Sequence, residues 1–274
     1  MNNYQEEYKQ LQTYRQKLNI NMTLKRTNIY NFFNSINIDM SNISRNLSKS
    51  VTVYQAPLEK IHGTKLVNWP IKNGAEIYID NDYITNKNNH KIINCQLTHE
   101  LLHTISELRN PNQNFFGHQL EFDTTTQNYK PNIYTGINEA TTQMFTEMIE
   151  NTELTETEDY LYFLKKTMEK LANIIGIDKL ASQYVNNDRN FEAEFNKITN
   201  GKLDTFATMN FDTFATIMNS IYNISKRQKY ETISEKEKEM LQIQKQEINK
   251  IIILLSNKIN QYQNTEPETE ERKR

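Results

Sequence analysis

Two adjoining stretches decide how this chain is read: AEIYID at 75–80 and, after a polar turn at 86–89, KIINCQLTHELLHTISELR at 91–109. Ala75-Glu76-Ile77-Tyr78-Ile79-Asp80 alternates apolar with polar, the period of two that marks a half-buried strand. Asn81 and Asp82 end it. Beyond the turn the period lengthens. Leu97, Leu101, Ile105 and Leu108 line one face of a helix, and Asn110-Pro111 stops it.

Working outward, Tyr4 to Leu18 suits an exposed helix, and Ile29 to Ile36 a second short one with Asp39 and Ser41 nearby for capping. Val51, Val53 and Tyr54 read as a strand closed by Pro57. Residues 112–137 are irregular, broken by Gly117, Pro131 and Gly136, with short alternating pieces around Phe116 to Phe122 that suggest a hairpin. A strong helix follows from Asn138 to about Glu150, with Met144 and Met148 on its apolar side. The rest reads as helices over Asp159–Ile175, Lys179–Val185, Phe191–Ile198, Thr205–Ile224 and Ser234–Tyr262. In the last, Met240, Ile243, Ile248, Ile251, Ile252 and Leu255 fall near heptad spacing, which suits packing on its own domain more simply than pairing with a partner helix. There is no internal repeat. The expected class is α+β: a small sheet with its helix, then a mainly helical C-terminal part. The expected division is an N-terminal helical segment at 1–50, a main domain at 51–262 and a disordered, charged tail at 263–274.

Composition excludes several classes. Of 274 residues, 36% are hydrophobic and 24% charged, an ordinary globular balance. The net charge of −2 offers no basic face for nucleic acid. A single cysteine, Cys95, precludes an internal disulfide framework and fits a reducing compartment; a buried small residue is its simplest reading, ahead of metal ligand or redox switch. The first ten residues lack a signal-peptide pattern, and the longest apolar run, Ile251 to Leu255, is too short to span a bilayer. The expectation is a soluble cytoplasmic protein. Scarce glycine and alanine beside abundant Asn, Lys, Ile and Tyr match the codon usage of an AT-rich bacterial genome.

The chemistry sits inside the 91–109 helix. His99-Glu100-Leu101-Leu102-His103 is the H-E-x-x-H metallopeptidase signature. Residues four apart stack one turn above each other, so two imidazoles converge on one ion, while Glu100 is placed to take a proton from a water on that ion. A catalytic zinc needs a third protein ligand and an open position. Glu139, in Asn138-Glu139-Ala140-Thr141-Thr142 at the start of the next strong helix, is that third ligand, expected in the first helical turn where the dipole favours a carboxylate.

Ligands in the order H-E-x-x-H then N-E-x-x-(S/T) resemble the gluzincin (thermolysin-like) zinc metallopeptidases, on the matching residues His99, Glu100, His103, Asn138, Glu139 and Thr142. The resemblance spans roughly residues 50–200. It implies one Zn2+ ion, a zincin-like fold with the active-site helix under a small sheet, and an edge strand, Ile77-Tyr78-Ile79, that binds extended peptide or protein substrate. The separation of His103 from Glu139 is nearer that of the clostridial neurotoxin light chains. Where the family carries an aspartate to brace the first histidine, this chain has Gln143, whose amide oxygen could accept from an imidazole N–H. Asn138 to Thr142, with Tyr160 and Ile175-Gly176-Ile177, looks more like poorly characterised peptidases of low-GC Gram-positive bacteria.

The family's oxyanion stabiliser would come from His118, Tyr134, Tyr160 or Tyr162, with Tyr160 first on the family-like context. His90 belongs to the turn before the helix and His62 to a loop. Three other readings stand beside the endopeptidase: an inactive zincin-fold scaffold or binding module, a repressor-cleaving regulatory peptidase, and a protease delivered to another cell. The retained Glu100 argues against the first, because a structural metal site has no use for a base.

Overall fold

The computed structural model describes residues 3–71, 74–106, 120–123, 128–131, 133–152, 159–199, 210–230 and 232–265. The chain begins with α1 (Asn3–Tyr14), the two-residue β1 (Gln16–Lys17), α2 (Thr23–Ser35), α3 (Ser41–Leu47) and β2 (Ser50–Ala56). Then come α4 (Leu58–His62), β3 (Leu66–Ile71), β4 (Gly74–Asp80), α5 (Asn81–Thr85) and α6 (His90–Ser106). A short pair, β5 (Leu120–Asp123) and β6 (Asn128–Pro131), precedes α7 (Thr135–Glu150) and α8 (Asp159–Ile175). The described chain closes with α9 (Ile177–Asn186), α10 (Asn190–Thr199), α11 (Phe211–Tyr230) and α12 (Glu235–Thr265). This is α+β: a small mixed sheet with helices, then a mainly helical part. No helix among the described residues is long and apolar enough to cross a membrane.

The sheet has the order β1-β2-β4-β3, with β2 parallel to β4 (Val53 opposite Ile77) and β3 antiparallel to it (Asn68 opposite Ile77). β4 is therefore internal, and the expectation that Ile77-Tyr78-Ile79 forms the sheet edge is overturned. The strand at the edge beside β4 is β3, which periodicity alone does not mark, and the two-residue β1 forms the other edge. Pro70 obscures β3, because proline reads as a strand breaker; at an edge its missing N–H costs no ladder bond.

β4 is also more deeply set than its alternation suggests, with every residue from Gly74 to Asp80 buried. Ile77 and Ile79 join the main core with Leu97, Leu101, Leu102 and Ile105 of α6. The opposite face meets α1, where Tyr78 packs with Leu11, Ala56, Leu58 and Trp69. Glu76 on that face is buried as an ion pair: Arg15 Nη1 lies 2.6 Å from its Oε1, and Tyr8 and Tyr78 hydroxyls donate to Oε2. A buried carboxylate persists only when its lone pairs are met in this way. At the strand's end Asp80 caps α5, accepting from Asp82 N at 2.9 Å, and ties down α4 by accepting from Glu59 N at 2.9 Å.

Element boundaries moved in physically sensible ways. α1 stops at Tyr14 because Gln16 and Lys17 leave the helix to pair with Gln55 and Tyr54. Ser41 starts α3 with Asp39 Oδ1 accepting from its N–H and hydroxyl. α7 ends at Asn151, whose φ of 47° is the left-handed conformation that asparagine tolerates at a helix end. β5 pairs with β6, a pairing that overlaps the hairpin expected around 116–122 only at 120–122; residues 116–119 lie outside the described ones. α12 runs on through Thr265, three residues into the expected tail; residues 266–274 lie outside the described ones.

α7 reaches the helical part through one close approach. A Cβ on Gly136 would stand 2.7 Å from Met218 O and 3.0 Å from Asn219 Cα, both backbone atoms of α11. Gly136→Ala therefore separates opposing effects: helix propensity alone adds stability, while the clash with an unyielding backbone removes more. The expected result is a net loss of roughly 1–2 kcal/mol in urea unfolding. A more stable variant would show that the two helices do not approach as described.

Candidate metal centre

α6 is clamped before any ligand is considered. On its sheet side, Asn68 of β3 donates to Glu100 O at 2.8 Å and to Thr104 Oγ1 at 3.0 Å. Asn46 of α3 donates to Ile105 O at 2.7 Å. On the helical side, Lys25 of α2 is buried and gives its three protons to Asn94 O (2.6 Å), Thr98 Oγ1 (3.0 Å) and Glu150 Oε1 (3.2 Å). Thr98 also donates to Glu150, the last residue of α7. This knot fixes the N-terminal half of α6 against the C-terminal end of α7. The two helices thus run antiparallel, and the other end of α6 faces the other end of α7.

That is where the predicted ligands meet. His99, His103 and Glu139 bring one ligand atom each to within 4.8 Å of one another. His103 Nε2 lies 2.9 Å from His99 Nε2, and Glu139 oxygens lie 3.4 Å from His99 Nε2 and 3.8 Å from His103 Nε2. Ligand bonds of about 2.0–2.1 Å at the tetrahedral angle put ligand atoms roughly 3.3 Å apart. The three observed separations bracket that value. Among the described residues no other group of three His, Cys, Asp or Glu side chains converges this way.

The hydrogen bonds set the imidazole tautomer. Thr142 gives its hydroxyl proton to Asn138 O at 2.8 Å, so towards His103 Nδ1, 3.5 Å away, its oxygen offers only lone pairs. That contact favours a proton on Nδ1, the tautomer that leaves Nε2 bare. His103 Nε2 and His99 Nε2, 2.9 Å apart beside a carboxylate, are satisfied either by a proton on one ring or by a cation held among all three groups. The donor set suits a divalent cation of the zinc type.

Ionisation favours the same state. Burial, reinforced by neighbouring His99, pushes the His103 pKa down to about 3, against the opposing pull of Glu139 and Asn138. Burial works against ionisation of Glu139, yet His103, His99 and Lys226 together hold its pKa down to about 2. The two shifts do not act at once, since a neutral His103 no longer attracts the carboxylate. The direction that stands is the ligand-ready one, a bare imidazole beside an ionised carboxylate.

Several expectations need correction. α7 starts at Thr135, so Glu139 lies in its second turn, and the first-turn dipole argument does not apply. Gln143 donates to Glu147 Oε1 at 2.9 Å, across one turn of its own helix, where Glu147 is also held by Lys165 at 2.6 Å. The hydrogen bond made by Gln143 is thus to Glu147 rather than from its amide oxygen to His99, and the side chain beside an imidazole Nδ1 is Thr142, at His103. Tyr134 is buried with its hydroxyl on Asp212, while Tyr162 is half exposed under Lys165 and Lys166. His118 and the side chain of Tyr160 lie outside the described residues. His90 is the first residue of α6, and His62 ends α4 with its Nδ1 2.8 Å from Glu7 Oε2. Cys95 is buried, and burial pushes its thiol pKa up, which suits a packing residue.

Three residues escaped sequence reasoning. Asn68 holds the carbonyl of Glu100, Tyr184 bonds Thr142, and Lys226 of α11 lends positive charge to Glu139. Nothing local marks any of them. Each comes from an element whose approach to α6 or α7 is a product of the fold.

The lowered His103 pKa carries a stability consequence. Between its folded value near 3 and the unfolded value of 6.5, only the unfolded chain binds the proton. Stability is thus fully present above pH 6.5 and is lost as pH falls towards 3. Urea titrations of chelator-treated protein should show a decline of about 2 kcal/mol from pH 6.5 to 5, following 1.36 kcal/mol per unit. The decline should be flattened in His103→Leu; an equal slope in both proteins would remove His103 as its source.

Compared with protein-family models, curated proteins and solved structures, the chain matches none of them. The metal-centre reading therefore rests on the convergence of His99, His103 and Glu139 itself.

Proposed function

We propose that this protein is a zinc-dependent endopeptidase of the gluzincin type, with Glu100 as general base and a peptide or protein as substrate. The observation that carries the reading is the meeting of His99, His103 and Glu139 at separations suited to one tetrahedral ion. Three protein ligands leave a fourth position for water or substrate, the arrangement of a catalytic rather than a structural zinc. A bound zinc ion supplies Lewis acidity, polarising a carbonyl and lowering the pKa of a water towards neutrality. The chain's own part begins with Glu100, half-buried and adjacent to His99 on α6. Its carboxylate takes the proton from the water and delivers it to the leaving amine nitrogen.

The edge strand supplies the second half of the reading. Among the described residues no strand pairs with the outer side of β3. Its Asn68 is bonded to the backbone of Glu100, so an extended peptide laid along β3 would lie beside the metal helix. Main-chain pairing would position the scissile bond with little demand on side-chain identity.

The decisive experiment compares zinc-loaded wild type with Glu100→Gln on a mixed peptide library read by mass spectrometry. Wild type should cleave, and Glu100→Gln should retain zinc while losing about 10²–10⁴-fold in rate. His99→Ala should lose most of its zinc, and Glu139→Ala part of it. Zinc-bound wild type without cleavage, or Glu100→Gln cleaving equally well, would overturn the peptidase assignment.

A further inference from the structure

Besides Lys25, a second residue outside α6 and α7 joins them, and it does so at the level of the ligands. Tyr184, on α9, is fully buried. A buried phenol needs partners for its hydroxyl, and here they come from α6 and α7. Its oxygen lies 2.7 Å from Thr142 Oγ1 on α7 and is hydrogen-bonded to the Ser106 side chain on α6. Both contacts fall at the level of the ligands. Ser106 is three residues after His103 and donates its hydroxyl to the His103 carbonyl at 3.1 Å. Thr142 is three residues after Glu139 and has its oxygen 3.5 Å from His103 Nδ1.

Proton accounting gives the bridge a direction. Thr142 spends its proton on Asn138 O and Ser106 spends its own on His103 O. The single phenol proton can therefore go to Thr142 Oγ1, while Ser106 stands as the second polar neighbour of the phenol oxygen. Burial first, then the charges of Glu139 and Glu100, push the phenol pKa well above its ordinary value, against the bonds to Thr142 and Ser106, so the donor keeps its proton. The ring itself is fixed independently, edge-on to Phe145 with centroids 5.4 Å apart.

We propose that Tyr184 is a positioning residue of the metal centre: its hydroxyl sets the spacing of α6 and α7 and holds Thr142 so that His103 presents Nε2 to His99 and Glu139. The inference rests on the metal-centre reading and adds to it a group that touches neither metal nor substrate.

Tyr184→Phe removes the hydroxyl and leaves the ring packed on Phe145. In full-length protein, competition with a chromogenic chelator should show zinc bound about 10–100-fold more weakly, the usual effect of losing a group that orients a ligand. Thr142→Val should weaken binding similarly, and Thr142→Ser, which keeps the hydroxyl, should restore it. The double variant Thr142→Val/Tyr184→Phe should be no worse than Thr142→Val alone, since the two act through one contact. Tyr78→Phe deletes another buried phenol hydroxyl, on the far face of the sheet, and should leave zinc affinity unchanged. That comparison separates positioning from general loss of stability. Wild-type binding together with an unaffected Tyr184→Phe, equal weakening in Tyr78→Phe, or multiplying losses in the double variant would overturn the role of Tyr184 alone. Absence of zinc binding by wild type would overturn the metal centre and this inference with it.

Discussion

Two imidazole nitrogens and a carboxylate oxygen that share a buried space need a proton or a cation between them. That constraint organises the centre of this molecule. His103 Nε2 faces His99 Nε2 at 2.9 Å, Glu139 stands beside both, and Thr142 Oγ1 lies 3.5 Å from His103 Nδ1 on the far side of the ring. The arrangement is costly as an empty assembly and favourable around a cation. The surrounding fold holds the three groups together despite that cost.

It does so by pairing buried charges at a distance from the centre. Lys25 with Glu150 and Lys165 with Glu147 fasten α7 to α2 and to α8, each pair mostly buried. Arg15 with Glu76 fastens α1 to the outer face of the sheet. Such pairs add little net stability over apolar packing, but each is strongly directional, and breaking one leaves an unmet charge. Their effect is to fix the position of α6 against α7. The apolar core, continuous from Met22 in front of α2 to Leu255 in α12, supplies the cohesion.

Local pattern exposed much of the architecture. The period of two in 75–80 and the longer period in 91–109 identified β4 and α6, and the C-terminal helices followed from their apolar spacing. The errors have a common cause. β4 reads as half-buried because alternation reports polarity, whereas Glu76 is polar and buried under α1; its place at the sheet edge was implied by the family resemblance alone. β3 was missed because Pro70 is disfavoured in strands generally but tolerated at an edge. Gln143 was placed beside His99 by analogy of position, yet an amide on a helix surface bonds the carboxylate one turn away at Glu147 before any distant group.

The amino-acid sequence by itself determined that His99 and His103 share a helix face, because a four-residue separation on an α-helix leaves no alternative. It also placed Glu100 beside them and Glu139 on the next strong helix. Only the tertiary structure decided that Glu139 meets the imidazoles, which depends on α7 returning antiparallel to α6 at a level set by Lys25, Thr98 and Glu150. It alone brought Asn68, Tyr184 and Lys226 to the same place from β3, α9 and α11. The spacing of residues along one helix is local geometry. The meeting of residues from different elements is set by how buried surfaces and buried charges are satisfied across the whole fold.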